Sequence, residues 1–124
     1  MPISTKTNES VQVAARAASD KLAKDMVALD LTEQSVLSEV FLIATGSNTP
    51  QVEAIADNVE EKLRAIGEKP LRRETSEEWI LLDYSDLVVH IQSENVRKYY
   101  MLDRLWNDCP RITLDVVEEE AAHV

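Results

Sequence analysis

The side chains able to do chemistry are few, and their spacing limits what they can do. His90, His123 and Cys109 lie far apart along the chain, so none of the spacings that hold a structural or catalytic metal is present. Asp83 and Asp86 stand three residues apart across a turn. Two carboxylates that grip magnesium from one strand need two-residue spacing, because strand side chains alternate between faces. No Asp-x-Asp pair occurs anywhere in the sequence. His90 sits in an apolar run, where a structural histidine is expected before a general base, and nothing in the order of serines, histidines and acids places a nucleophilic triad.

Ala44 to Pro50 (ATGSNTP) sets Gly46 and Ser47 between a strand-like run and a helix start. Backbone N–H groups at such a place can hold an anion. This opening resembles that of nucleotidyltransferases, which makes a nucleotide-binding enzyme using Gly46 and Ser47 one alternative reading. One glycine is too few for either glycine-rich phosphate signature. The absent carboxylate pair also weighs against that chemistry. A tight turn followed by a capped helix is the expectation.

Aromatic residues are concentrated instead. Trp79 to Trp106 holds both tryptophans, all three tyrosines and one of the two histidines. Trp79, Leu81 and Asp83 alternate along one strand and so share a face. On the following helix Tyr99, Leu102, Leu105 and Trp106 form one stripe, with Val96, Tyr100 and Met101 to its sides. A helix packed on one sheet needs a single apolar stripe. The surplus points to a second apolar surface, and Trp and Tyr beside acids fit a protein-binding hot spot. Composition leaves a core role for both tryptophans open with nearly equal weight.

Several elements must position these residues. Val11, Ala14, Ala15, Ala18 and Leu22 recur at helical spacing over Glu9–Lys24, after a polar stretch 1–8 expected to fray. Met26–Leu31 reads as a short strand. Val40–Thr45 is a continuous apolar run expected of a strand buried on both faces. Asn48 or Thr49 can cap a helix over Pro50–Ile66, which Gly67 ends. Lys69–Glu74, Trp79–Tyr84 and Leu87–Gln92 read as strands, the last two a hairpin through Ser85 and Asp86. A third helix is expected from Glu94 to Leu105 or Trp106, then a partly alternating stretch Arg111–Val117 that could add an edge strand beyond the core sheet, and an acidic tail at 118–124. The order predicts one α/β (α+β) domain over 1–124, with a mixed five-stranded sheet, flanking helices and a parallel crossover around 40–74.

Charge narrows the partners. The net charge is −10, which opposes binding to phosphate backbones and anionic membranes and favours a basic protein surface. The lone cysteine cannot pair internally, which fits a reducing cytoplasm. No apolar run is long enough to span a bilayer, and the N-terminal segment lacks the pattern of a secretory signal.

Four segments carry a resemblance. KLAKDMVALDL (Lys21–Leu31), SEVFLIATGSNTPQVEAIADNVEEKL (Ser38–Leu63), WILLDYSDLVVHI (Trp79–Ile91) and RKYYMLDRLW (Arg97–Trp106) resemble, in order, the bacterial ribosomal silencing factors of the RsfS/Iojap family. The resemblance implies a nucleotidyltransferase-like fold without enzymatic activity, cofactor or metal. It implies binding to the large ribosomal subunit through its ribosomal protein fourteen, blocked subunit joining, and translation repressed in starvation or stationary phase. Trp79, Asp83, Asp86, His90, Tyr100, Leu102 and Trp106 match the family motif. With Leu81 they form the expected partner-binding set: Trp79, Leu81, Tyr100 and Trp106 for apolar contact, Asp83 and Asp86 for basic side chains. A homodimer using the same patch is the remaining alternative. The chain departs from the family pattern at Thr75 and Ser85, where glycine is common, and Ser85 puts the hairpin geometry in question.

Overall fold

The computed structural model describes residues 4–33, 38–100 and 110–114. Helix α1 spans Thr5–Asp20, strand β1 Lys24–Asp30, β2 Val40–Gly46, helix α2 Thr49–Ala65, β3 Arg72–Thr75, β4 Trp79–Asp83, β5 Leu87–Ser93, helix α3 Glu94–Tyr100, and β6 Arg111–Ile112. The strands form one mixed sheet of six in the order β3-β4-β5-β2-β1-β6. The optional edge strand near Arg111 is formed, as Arg111–Ile112, and makes the expected five strands six. The remainder of the predicted third helix and the acidic tail lie outside the described residues.

α1 begins earlier than the apolar spacing indicates. Ser4 caps it, its hydroxyl accepting from the Thr7 N–H at 3.1 Å, so Thr5–Asn8 form the first helical turn rather than a frayed end. Hydroxyl capping carries no hydrophobic period, which is why the periodicity missed it. α1 ends with Leu22 in the left-handed region at φ 64°, and its chain turns back through an Ala23 N–H to Ala18 carbonyl bond of 3.1 Å. Such a position usually takes glycine.

The cap at α2 follows expectation. Asn48 Oδ1 accepts from the Gln51 N–H at 2.9 Å, and Pro50 occupies the first turn. At the far end Gly67 has φ 87°, and the Gly67 and Glu68 N–H groups close onto the carbonyls of Arg64 and Leu63.

The topology resolves the expected crossover differently from a simple neighbour pair. β2 lies parallel and adjacent to β5, not to β3. β3 is antiparallel to β4, and β4 to β5, so β3 runs in the direction of β2 but at the far edge of the sheet. The β4–β5 hairpin fills the gap between them. The hairpin strands are therefore flanked on both sides, and β5 is buried on its helix-facing side while Val88 and His90 stay partly accessible on the other.

Helices α1 and α2 pack on one face and on each other. That face is aliphatic: Val40, Leu42 and Ala44 on β2, Ile80 and Leu82 on β4, and Val89 and Ile91 on β5 are all fully buried. From the helices come Val11, Ala14, Ala15 and Ala18 and Val52, Ile55, Ala56, Val59 and Leu63. The alanines let α1 approach closely, and the Asn58 amide reaches across to the Ala17 carbonyl at 2.8 Å.

Candidate functional site: the second face of the sheet

The other face is built from the alternate residues of the same strands. Pairing places Leu81 opposite His90, and His90 opposite Ile43. It places Asp83 opposite Val88, and Val88 opposite Phe41. Toward β1 this face closes into a second small apolar cluster of Leu29, Leu31 and Ile43, with Val27 and Phe41 against it. Toward β4 it stays half-exposed: β4 alternates, with Trp79, Leu81 and Asp83 partly accessible and Ile80 and Leu82 buried. Thus Trp79, Leu81, Asp83 and His90 are brought together as expected.

His90 is the centre of an aromatic row. Its ring lies 6.0 Å from Phe41 in a stacked arrangement and 5.6 Å from Trp79 edge-on. Burial pushes its pKa down from 6.5 to about 4, which keeps the imidazole neutral at ordinary pH. Neither ring nitrogen has a hydrogen-bond partner among the described residues, and both are buried. The same holds for the amide of Gln92, which is opposite Trp79 and fully buried. His90 is thus packed as an aromatic disc and is not set up as a general base.

The acids stand at the end of this row. Asp83 closes β4, and its Oδ1 accepts from the Ser85 N–H at 2.9 Å. Ser85 has φ 75°, so the turn adopts the left-handed conformation that a glycine would take more easily. Tyr84 N–H bonds the Leu87 carbonyl at 2.8 Å and closes the hairpin. Asp86 is exposed on this turn, while its carbonyl accepts from the N–H groups of Glu39 and Val40 at 2.9 and 3.0 Å. The turn is therefore tied to the start of β2 through backbone, leaving the Asp86 side chain at the surface.

Sequence reasoning missed two contributors. Phe41 lies in a run read as buried on both faces, yet it is only partly buried and stacks on His90. Its signal was faint: it is the sole aromatic residue in an aliphatic strand. Arg72 on β3 bridges Glu74 at 2.7 Å and Asp83 at 3.3 Å, so one guanidinium already neutralises part of the acidic rim. Only the β3–β4 register reveals that pairing. Of the remaining expected contacts, Tyr100 ends α3 but its side chain is outside the described part, and Leu102 and Trp106 lie outside the described residues.

The Gly46–Ser47 turn is structural. A Cβ on Gly46 would meet the Val52 nitrogen and side chain at 3.1 Å, a tight contact that glycine avoids where α2 starts close to β2. The Ser47 N–H donates to the Gln51 side-chain oxygen, and the Gln51 and Val52 N–H groups are held by Asn48. Three of the N–H groups at this helix start are thus held by the chain itself. Among the described residues, no group of three His, Cys, Asp or Glu side chains is placed to hold a metal ion, and no helix is long and apolar enough to cross a membrane.

The family model described as "Ribosomal silencing factor during starvation" matches residues 4–124. The chain belongs to the ribosomal silencing factor (RsfS) family. It is 37% identical over 107 residues to the ribosomal silencing factor RsfS of Bacillus subtilis, covering 85% of this chain and 91% of that protein. It is 32% identical over 105 residues to the chloroplastic protein Iojap of Zea mays, covering 81% of this chain but 44% of the longer plant protein. The fold agrees with solved relatives. A crystal structure of a Chromobacterium violaceum protein superposes with a TM-score of 0.78 at 32% identity, covering 93% of this chain and 97% of the other. One from Bacillus halodurans gives 0.75 at 36% identity, covering 86% and 99%. The mixed sheet with its two-helix layer is thus shared by RsfS relatives, and the expectation of family and fold class is met.

Proposed function

We propose that this chain silences ribosomes by docking on the large subunit through ribosomal protein fourteen, using the half-exposed strip of β4 and β5, and so blocks subunit joining. The observation that carries this reading is the contrast along β4: buried aliphatics face the helices, while Trp79, Leu81 and Asp83 face out beside His90. Partly exposed aromatics beside acids fit a docking surface for a basic protein, with Trp79 the anchor and Asp83 and Asp86 the charges at its rim. Tyr100, Leu102 and Trp106 extend the set through the family motif. The activity needs steric exclusion only, with no catalysis and no cofactor, and it would operate in the cytoplasm under starvation or in stationary phase.

Sedimentation of mixed ribosomal subunits with and without the protein is the test. Bound protein should travel with the large subunit and reduce the associated fraction. Trp79→Glu should abolish co-sedimentation while circular dichroism and thermal melting show a folded chain. Normal binding by that variant would sink the assignment of the surface. Binding should also weaken as salt rises, because part of the attraction is charge complementarity.

A further inference from the structure

Helix α3 is tied to the rest of the fold at two points. The first is its start. The Ser93 hydroxyl accepts from the Val96 N–H at 3.2 Å as the helix cap, and donates to the Glu78 carboxylate at 3.0 Å. The Ser93 N–H also donates to the Glu78 carbonyl at 2.8 Å. Glu78 directly precedes Trp79, so this tie holds the helix start beside β4. A helix held only at its first residue can still swing about that point. The second tie lies four residues on, about 6 Å along the axis. There Arg97 Nη1 donates to the Thr45 hydroxyl at 2.8 Å and to the Asp25 carbonyl at 2.6 Å. Both acceptors are set by the sheet. Thr45 is buried and stands in one cross-strand row with Gln92 and Trp79. Its backbone is therefore about 10 Å from that of Trp79, two interstrand spacings. Asp25 lies where β1 carries an extra residue, the pairing with β2 stepping from Lys24–Thr45 to Val27–Ile43. Its φ is 53°, in the left-handed region. Irregularities of this kind re-aim the groups they carry, and here the Asp25 carbonyl meets Arg97. An ion pair between Lys24 and Glu94 at 3.3 Å also joins α3 to β1, but both side chains are solvent-accessible, and such pairs hold little. The charged hydrogen bonds of Arg97 are the stronger link.

We propose that Arg97 is a positioning residue of the docking surface: by hydrogen-bonding Thr45 and the Asp25 carbonyl it fixes the direction in which α3 leaves the sheet, and with it where the chain at Tyr100 stands relative to Trp79. This role rests on the docking function proposed above for the strip of β4 and β5. Ser93 sets where the helix begins, and Ser93 and Arg97 together set its axis. Trp79 and Tyr100 come from different elements. Contact groups on two elements bind best when their spacing is fixed before the partner arrives, because no ordering cost is then left to meet. Arg97 makes its bonds within the chain, so its effect on binding passes through the helix.

The test uses the full chain and salt-washed large subunits. A parent protein that does not co-sediment sinks the docking reading, and this role with it. Given binding by the parent, Arg97→Met keeps the aliphatic stem and removes the guanidinium. It should weaken binding about tenfold, the scale of a lost charge-assisted hydrogen bond. Charge alone would act the other way, since losing a cation makes the chain more attractive to a basic partner. Amide exchange should speed at Arg97–Tyr100 and stay slow in β4 and β5. Thr45→Val removes only the acceptor hydroxyl, at a position 1% exposed that no partner can reach. It should weaken binding about threefold. The double variant should bind no worse than Arg97→Met, because both changes break one link. Unchanged binding by Arg97→Met overturns the proposal. So does a loss for Arg97→Met with none for Thr45→Val, which would make Arg97 a direct contact with the partner. Additive losses overturn it too, by giving the two residues separate roles. Exchange that speeds equally through β4 and β5 would instead mark Arg97 as a general stabiliser of the fold, and the positioning role would fall.

Discussion

The two faces of this sheet are made from the same strands and differ in almost every property. Under α1 and α2 the residues are aliphatic, fully buried and continuous from β4 to β1. On the reverse they grade from a small closed cluster near β1 to a half-exposed aromatic and acidic strip at β4 and β5. Neighbouring residues such as Leu81 and Leu82 have the same chemistry and opposite surroundings. Aliphatic side chains without polar handles suit a core, where uniform packing is all that is required. Trp79, His90 and Asp83 suit a surface that must be stable alone and still recognise something. On the proposed reading, fold and function are divided by strand alternation, one residue at a time.

The sharpest way to break that comparison is to truncate the two leucines separately. Leu82→Ala removes a fully buried side chain from the helix face and should cost about 2–5 kcal/mol in unfolding free energy. Leu81→Ala, on a partly exposed position, should cost about 1 kcal/mol or less by denaturant titration. Equal losses would mean that the second face is core as well, and the docking reading of β4 would lose its basis.

Acid should separate the faces next, because His90 is the titrating group held neutral on the second face. Its pKa is lowered to about 4 in the fold, against 6.5 when exposed. Between these values the unfolded chain binds a proton that the folded chain refuses. Stability therefore falls as pH drops from 6.5 toward 4 and levels off below, by up to about 3 kcal/mol. His90→Phe keeps an aromatic disc between Phe41 and Trp79 and should flatten that part of the profile. Carboxylates contribute their own slope in both proteins, so the difference between the two curves is the measurement. Identical curves would show that the His90 ring is hydrated and not packed as described.

Much of this arrangement is legible in the sequence, for physical reasons that differ by element. The α2 boundaries follow from Asn48, Pro50 and Gly67, residues whose backbone chemistry admits few alternatives. The face shared by Trp79, Leu81 and Asp83 follows from strand alternation. The early start of α1 was hidden because a serine cap leaves no hydrophobic trace. The position of β3 was hidden because direction along a crossover does not specify how many strands it passes. For the same reason the Arg72 bridge to Asp83 was invisible: it depends on register between strands and not on spacing within one. The aromatic row of Phe41, His90 and Trp79 likewise draws on three strands, two of them far apart in the chain.

At the proposed interface, Trp79→Ala should leave the fold largely intact and weaken large-subunit binding by about 2 kcal/mol, roughly thirtyfold, the scale of an aromatic hot spot. Leu81→Ala should weaken it less, since aliphatic contacts outside a central pocket carry little of the energy. Pull-down against salt-washed large subunits gives both numbers. A Leu81→Ala loss exceeding that of Trp79→Ala would move the centre of the contact toward β3.

The smallest expected effect concerns Ser85, and it has the opposite sign. Its φ of 75° places a non-glycine residue in the left-handed region. That costs about 1 kcal/mol relative to glycine. Ser85→Gly releases this strain but gives the unfolded chain more freedom, at a cost of about 0.5 kcal/mol. The Asp83 bond to this residue uses the backbone N–H and survives the change. Stability should therefore rise by about 0.5 kcal/mol by chemical denaturation. Because the turn keeps its geometry, ribosome binding should not change. A stable Ser85→Gly protein that binds more weakly would show that the hairpin depends on the serine side chain to aim Asp83 and Asp86, and that the second face is more finely set than its backbone alone requires.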